Sequence, residues 1–347
     1  MTIPIKDVSE RLTTAPKSVA KLEDNDKGGP RILRGGPRKG MGDIPLDEGT
    51  LADMQRVPES TAAQHLVQGP DGSWAFTPER QAFHDSIIEE ALQGKTAPEG
   101  KPQFNVLGGG PAAGKSTMVR QAGIPALTDD SAVMVNADEM KDKLPEYREM
   151  LDAGDPKAAA LSHEESSYLA KRLQAASFEN GYNVTLDGTG DSTTKSMMKK
   201  IKAGKDAGYA VNGYYTTVPT DVAVERAIIR GNKIGRHVPE EVIRDTHISV
   251  SKVLPELHDQ FDEVRLYDTS SADIKPLMES VGGKQRILDQ DGWDTFVAKG
   301  REDAYRKLAD VNPNAPKMIV RAPSAPSAAP APVPAPVPGP LVPAGTV

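Results

Sequence analysis

The sequence predicts an α/β fold in which a parallel sheet carries helices on both faces. Three observations point there. Short apolar runs alternate with longer stretches of helical spacing through the middle of the chain, the first run opens directly into a cluster of glycines, and both ends lose this periodicity. Residues 1–74 read as a largely disordered arm, with a Gly/Pro/basic run from Lys27-Gly28-Gly29-Pro30-Arg31 to Arg38-Lys39-Gly40. Such a run suits either a solvated linker or a binding arm. Residues 75–310 form the folded body. Residues 311–347 read as a disordered Pro/Ala-rich tail: nine of the 26 residues over 322–347 are proline and none is charged, so extended polyproline-like states are expected.

Within the body, Thr77 suits a helix cap, Pro78 the first turn and Glu79 the positive helix end. Phe83, Ile87, Ile88 and Leu92 then recur at helical spacing. Strand candidates follow at 104–107, 132–136, 183–186, 209–216 and 264–267. Helix candidates occupy 164–179, 193–205, 221–230, 239–253 and 293–308. Right-handed crossovers in such a chain put the strand C-termini, and any ligand crevice, along one edge.

Composition excludes several classes. No run of eighteen apolar residues occurs, and the opening residues lack the basic-then-apolar order of a secretory leader, so a soluble, cytoplasmic protein with no membrane partner is expected. The absence of cysteine removes disulfides, thiolate nucleophiles and thiolate metal sites. A net charge of −7 argues against nucleic acid as a partner. The six histidines are scattered without zinc-motif spacing, and His84 reads as a helix-surface or packing residue.

The informative stretch is Gly108-Gly109-Gly110-Pro111-Ala112-Ala113-Gly114-Lys115-Ser116-Thr117. Gly109 and Gly114 have the four-residue gap of a phosphate-binding P-loop, followed by Lys115 and Ser116. Glycines let backbone N–H groups converge on phosphate oxygens, Lys115 supplies a mobile positive charge, and the Ser116 hydroxyl suits Mg²⁺. ATP and Mg²⁺ are therefore the expected cofactors, with residues 109–117 as their cradle. Gly108, Gly110 and Ala113 also satisfy a loose dinucleotide fingerprint, with Asp129 and Asp130 at about the right distance. No strand precedes those acids, and that reading leaves Lys115-Ser116 unexplained.

Downstream residues suggest what the phosphate is for. Asp138 follows the second strand and is placed to take a proton from an acceptor hydroxyl; a helix-capping role for Asp138 or Glu139 is the plainer alternative. The third strand ends in Asp187-Gly188-Thr189-Gly190, suited to water-mediated Mg²⁺ contact and close substrate approach, or simply to a turn. Arg226 and Arg230 share a helix face, and Arg236 lies beyond Gly231 and Gly235, as in a lid that stabilises transferring phosphoryl oxygens.

Taken together, residues 77–267 resemble the zeta toxin family of P-loop kinases. The matching pieces are Pro78-Glu79-Arg80-Gln81, the glycine loop, Val135-Asn136-Ala137-Asp138-Glu139, His163-Glu164-Glu165-Ser166, the segment from Tyr182 to Gly190, and Arg226, Arg230 and Arg236. The resemblance implies a nucleoside-monophosphate-kinase-like P-loop NTPase fold with an Arg-bearing lid. It also implies ATP-dependent phosphorylation of the 3′-hydroxyl of the sugar in UDP-N-acetylglucosamine. By that resemblance Asp138 is the general base, Lys115 the phosphate clamp, and Arg226 and Arg236 the transition-state arginines. Glu165, Asp187 and Thr189 would hold the acceptor, and a small antitoxin protein would cover the nucleotide site. Asp191-Ser192 stand where the family implies positive charge. Kinase action on another small-molecule or polynucleotide hydroxyl, and a nucleotide-bound interaction module without catalysis, are the competing functions.

Overall fold

The computed structural model describes residues 39–190, 193–234 and 238–311. Arg236, Asp191, Ser192, the first 38 residues of the arm and nearly all of the Pro/Ala tail lie outside the described residues. In chain order the elements are α1 (Glu48–Gln55), α2 (Thr61–Gln64), β1 (Leu66–Gln68), β2 (Trp74–Phe76), α3 (Pro78–Leu92), β3 (Gln103–Gly108), α4 (Lys115–Gln121), β4 (Val133–Val135), α5 (Ala137–Lys143), α6 (Pro145–Asp152), α7 (Ala158–Leu161), α8 (His163–Asn180), β5 (Val184–Asp187), α9 (Thr194–Asp206), β6 (Ala210–Thr217), α10 (Thr220–Ile234), α11 (Glu240–Leu257), β7 (Glu263–Asp268), β8 (Lys275–Val281), β9 (Lys284–Ile287) and α12 (Gln290–Val311). They divide into two compact units, one built from 1–93 and 137–179, the other from 94–136 and 180–347.

The first unit is mainly helical. Residues 39–74, assigned from the sequence to the disordered arm, instead carry α1, α2 and β1. The physical reason is local and specific. Asp47 and Ser60 cap α1 and α2 by accepting from Thr50 and Ala63, and β1 pairs antiparallel with β2. Met54, Ala62, Phe76 and Tyr168 then share one buried cluster with Ile44, Leu46 and Leu66 packed against it. Ahead of α1, the chain is strapped to α8. The Glu179 carboxylate accepts from the amides of Gly40 and Gly42. The fully buried Arg172 donates to the Met41 carbonyl and to Asp43 and Asp85. Gly42, at φ +60°, touches the α8 backbone so closely that a Cβ would sit 2.0 Å from the Arg172 carbonyl oxygen. Thr77 caps α3 with Pro78 in the first turn, as the sequence predicts.

The second unit holds a seven-stranded sheet in the order β4-β5-β3-β6-β7-β8-β9. The five strands from β4 to β7 are parallel, and β3, the strand ahead of the glycine loop, lies between β5 and β6. Counted from β3 the order is 2-3-1-4-5. The sheet is not wholly parallel: β8 and β9 extend it as an antiparallel hairpin. Their turn is Gly282-Gly283, both at positive φ, the backbone a tight hairpin requires. Neither strand is legible as an apolar run, because β9 is mostly exposed and β8 begins with the exposed Lys275-Pro276. Leu107, Met118, Ile124, Leu127, Tyr214 and Tyr267 form the cluster beneath the glycine loop's helix. No helix among the described residues is long and apolar enough to cross a membrane.

Candidate active site: a phosphate loop and its carboxylates

β3 ends at Gly108, and α4 begins at Lys115, so the whole glycine motif forms the strand-to-helix turn. Gly109 and Gly114 take φ values of +127° and +82°, closed to most side chains. Space reinforces this. A Cβ on Gly110 would meet the His247 ring at 2.2 Å, and one on Gly114 would meet Thr269 at 2.5 Å. Ala112 is left-handed as well, at φ +59°, the lone non-glycine with positive φ among the described residues. The Lys115 ammonium folds back to donate to the Gly109 carbonyl at 3.1 Å. Ser116 is exposed at the start of α4.

The loop is tied to its neighbours in sequence-predicted positions. Asp187 ends β5 in register with Leu107, and the Asn136 amide donates to its carboxylate at 3.2 Å. The Gly109 amide donates to the Thr189 carbonyl at 3.0 Å, which brings the Thr189-Gly190 turn against the start of the loop. Arg226, on α10, donates to the carbonyls of Thr269 and Ser270. Thr269 in turn donates through its hydroxyl to the Ala113 carbonyl at 2.7 Å. The structure therefore gathers residues 109–117, Asp187, Thr189 and Arg226 in one unit.

Asp138 and Glu165 belong to the helical unit. Asp138 lies in the first turn of α5 and pairs with Lys141 at 3.2 Å. Glu165 is wholly buried. Its two oxygens accept from Arg80 Nε at 2.6 Å and from a terminal Arg80 nitrogen at 2.9 Å, while His84 Nε2 lies 2.6 Å away. The same guanidinium grips Glu146, whose other neighbour is His65 at 3.0 Å. Burial alone would push the Glu165 carboxyl up. The hydrogen bonds and charge of His84 and Arg80 win, and hold it at about 2. Glu146 is held low by the same Arg80 contacts against its own burial. Burial moves the His84 imidazole the opposite way, below its ordinary value.

Several of these partners were not singled out from sequence. Of the two roles the sequence leaves for His84, it takes the buried one, as partner of a carboxylate, and Glu146 lies outside every motif above. His247 gives no sequence signal, since it lies within an ordinary helical pattern and its partner is the Pro111 carbonyl, 136 residues away. Burial, with Lys299 and Lys115 nearby, pushes His247 down to about 4, so it is neutral and donates to that carbonyl through Nε2. Lys299, from α12, reaches the Thr217 hydroxyl at 2.6 Å and the Val218 carbonyl at the end of β6.

A Mg²⁺ ion fits the chemistry of this edge. Hydroxyl and carboxylate oxygens are its preferred donors, and it keeps most of its shell for phosphate and water. No group of three or more His, Asp or Glu residues able to hold a metal occurs among the described residues. An ion here would rely on Ser116, Asp187 and the nucleotide's own oxygens.

A glycine loop of this build, placed beside the central strand of a 2-3-1-4-5 parallel sheet, defines a P-loop kinase-like fold. The zeta toxin family profile matches residues 88–275, just over half of the chain. The chain belongs to the zeta toxin family of ATP-dependent phosphotransferases. Among solved structures, the complex AvrRxo1-ORF1:AvrRxo1-ORF2 with sulphate ions is similar at a TM-score of 0.55 and 18% identity, over 69% of this chain and 82% of that chain. AvrRxo1-ORF1:-ORF2 with ATP is similar at 0.54 and 17%, over the same shares. A structure of the PezAT chromosomal toxin–antitoxin system of Streptococcus pneumoniae gives 0.48 and 17%, over 66% and 97%. No curated protein sequence matches the chain.

Proposed function

We propose that this kinase transfers the γ-phosphoryl group of ATP to the 3′-hydroxyl of the sugar in UDP-N-acetylglucosamine. The observation that carries the phosphoryl-transfer half is the loop itself, with Gly109 and Gly114 at positive φ and Lys115 at the head of α4. Support for ATP comes from the similar fold whose structure holds ATP. The acceptor rests on the motifs shared with the family.

In this reading the 109–117 loop holds the phosphates through those of its backbone N–H groups that face the anion, and Lys115 neutralises charge on the β- and γ-oxygens. Ser116 and, through water, Asp187 would hold Mg²⁺, which would supply positive charge against the charge developing in transfer. Asp138 accepts the proton of the attacking hydroxyl. Arg226 and Arg236 stabilise the equatorial oxygens of the transferring group. Thr189 and Asp187 contact the acceptor. Glu165, assigned by the resemblance to hold the acceptor, is instead wholly buried with its oxygens engaged by Arg80 and His84, and contributes by fixing Arg80, whose guanidinium also orients the half-buried Glu146. The cytoplasm, which supplies both ATP and nucleotide sugars, is the compartment this chemistry requires. A small antitoxin protein covering the nucleotide site is the partner the family motifs suggest, and the two-protein complex of the similar AvrRxo1-ORF1 fold supports a protein partner for this chain.

The test is mass spectrometry of a nucleotide-sugar panel incubated with the full chain and Mg·ATP. A product one phosphate heavier than UDP-N-acetylglucosamine, and absent with Lys115→Ala, is expected. Phosphate gained by a different member of the panel would overturn the acceptor, and phosphate gained by none, with ATP intact, would overturn the activity.

A further inference from the structure

A phosphate loop works when its amide hydrogens face the anion, which requires its carbonyl groups to face elsewhere. A trans peptide is planar, so the carbonyl of one residue and the N–H of the next point in opposite directions. No cis peptide occurs among the described residues. Fixing a carbonyl on the outside of the loop therefore fixes the following N–H on the inside.

The carbonyls of this loop are held by groups drawn from separate elements. Thr216 on β6 donates to Gly108 at 3.4 Å, and Lys115 donates to Gly109 at 3.1 Å. His247 on α11 donates through Nε2 to Pro111 at 3.1 Å. Thr269, just past β7, donates to Ala113 at 2.7 Å. His247 and Thr269 are 3% and 2% exposed, so water does not compete for either bond. Between the two pinned carbonyls sits Ala112 at φ +59°, a conformation that costs an alanine roughly 1–2 kcal/mol. The loop thus carries backbone strain at one residue and a hydrogen bond on each side of it.

We propose that His247 and Thr269 are positioning residues for the phosphate site. By holding the Pro111 and Ala113 carbonyls outside the loop, they aim the N–H groups of Ala112 and Gly114 at the terminal phosphates and keep Ala112 left-handed. This rests on reading the loop as an ATP site.

The experiment measures displacement of a fluorescent ATP analogue from the full chain by ATP and by adenosine, in Mg²⁺, with circular dichroism confirming the fold of each variant. His247→Leu and Thr269→Val each weaken ATP about tenfold, the order expected from one buried hydrogen bond, while adenosine is unchanged. His247→Gln restores a donor at the Nε2 position and recovers most of the loss. Ala112→Gly placed in the His247→Leu background also recovers part of it, because glycine holds the left-handed backbone without help. Equal weakening of ATP and adenosine, or unchanged ATP binding in both Thr269→Val and His247→Leu, overturns the positioning role. A wild-type chain that fails to prefer ATP over adenosine overturns the ATP-site reading itself, and the positioning role with it.

Discussion

The helical unit and the sheet unit bury polar groups by opposite rules. Around Arg80 the helical unit pairs charge: one guanidinium bridges the carboxylates of Glu165 and Glu146, and His84 gives Glu165 a further hydrogen bond. Around the glycine loop the buried groups are donors aimed at backbone carbonyls, and His247 is kept neutral beside Lys299 and Lys115. A cluster of paired charges supplies its own counter-ions and acts as scaffold. A nest of N–H groups with lysine beside it becomes complete when an anion arrives. Loss of a partner should therefore cost stability in the first unit and phosphate chemistry in the second.

The largest effect expected from that contrast is Lys115→Ala, which should lower phosphoryl transfer by about a thousandfold while leaving the melting temperature near wild type. Transfer from γ-labelled ATP, measured beside a thermal melt, checks both halves. Arg80→Ala should show the reverse emphasis. It leaves Glu165 buried without its cation, and should cost about 3–5 kcal/mol in denaturant unfolding.

Acid should act on the helical unit in two stages. The folded His84 pKa lies below its ordinary 6.5, so below that pH the unfolded chain binds a proton the native chain does not. Glu165, held at about 2 against an ordinary 4.5, repeats this between those two values. Both signs agree: stability falls as pH falls. Thermal melts from about pH 8 to about pH 4 should show the decline beginning below pH 6.5, and His84→Gln should make that first limb shallower, the remainder coming from His247, which is held down in the same way. A flat profile in the wild type would break the comparison. The smallest effect belongs to Ala112→Gly alone. Relief of left-handed strain and the added freedom of the unfolded chain nearly offset, leaving stability within about 1 kcal/mol by denaturant titration.

The sequence made the phosphate loop legible because its function lies in local spacing: strand, glycines, Lys115 and helix occupy one short segment. The parallel strands were legible for a related reason, as buried apolar runs between helices. Three parts were not. Residues 39–74 look like linker because their order depends on caps and on the docking of Gly42 and Asp43 against α8, and neither leaves a periodic trace. The β8–β9 hairpin is too exposed to read as strand. His247, Thr269 and Arg80 act on partners far away in sequence, and Pro111 and Ala113 offer only backbone, which no residue type announces.

The proposed function assigns the acceptor's proton to Asp138, and single-turnover transfer by Asp138→Asn tests that assignment most directly. With ATP affinity measured on the same preparation, the variant should bind ATP within about twofold of wild type and transfer its phosphoryl group at least about a hundredfold more slowly. Transfer at the wild-type rate would contradict the account.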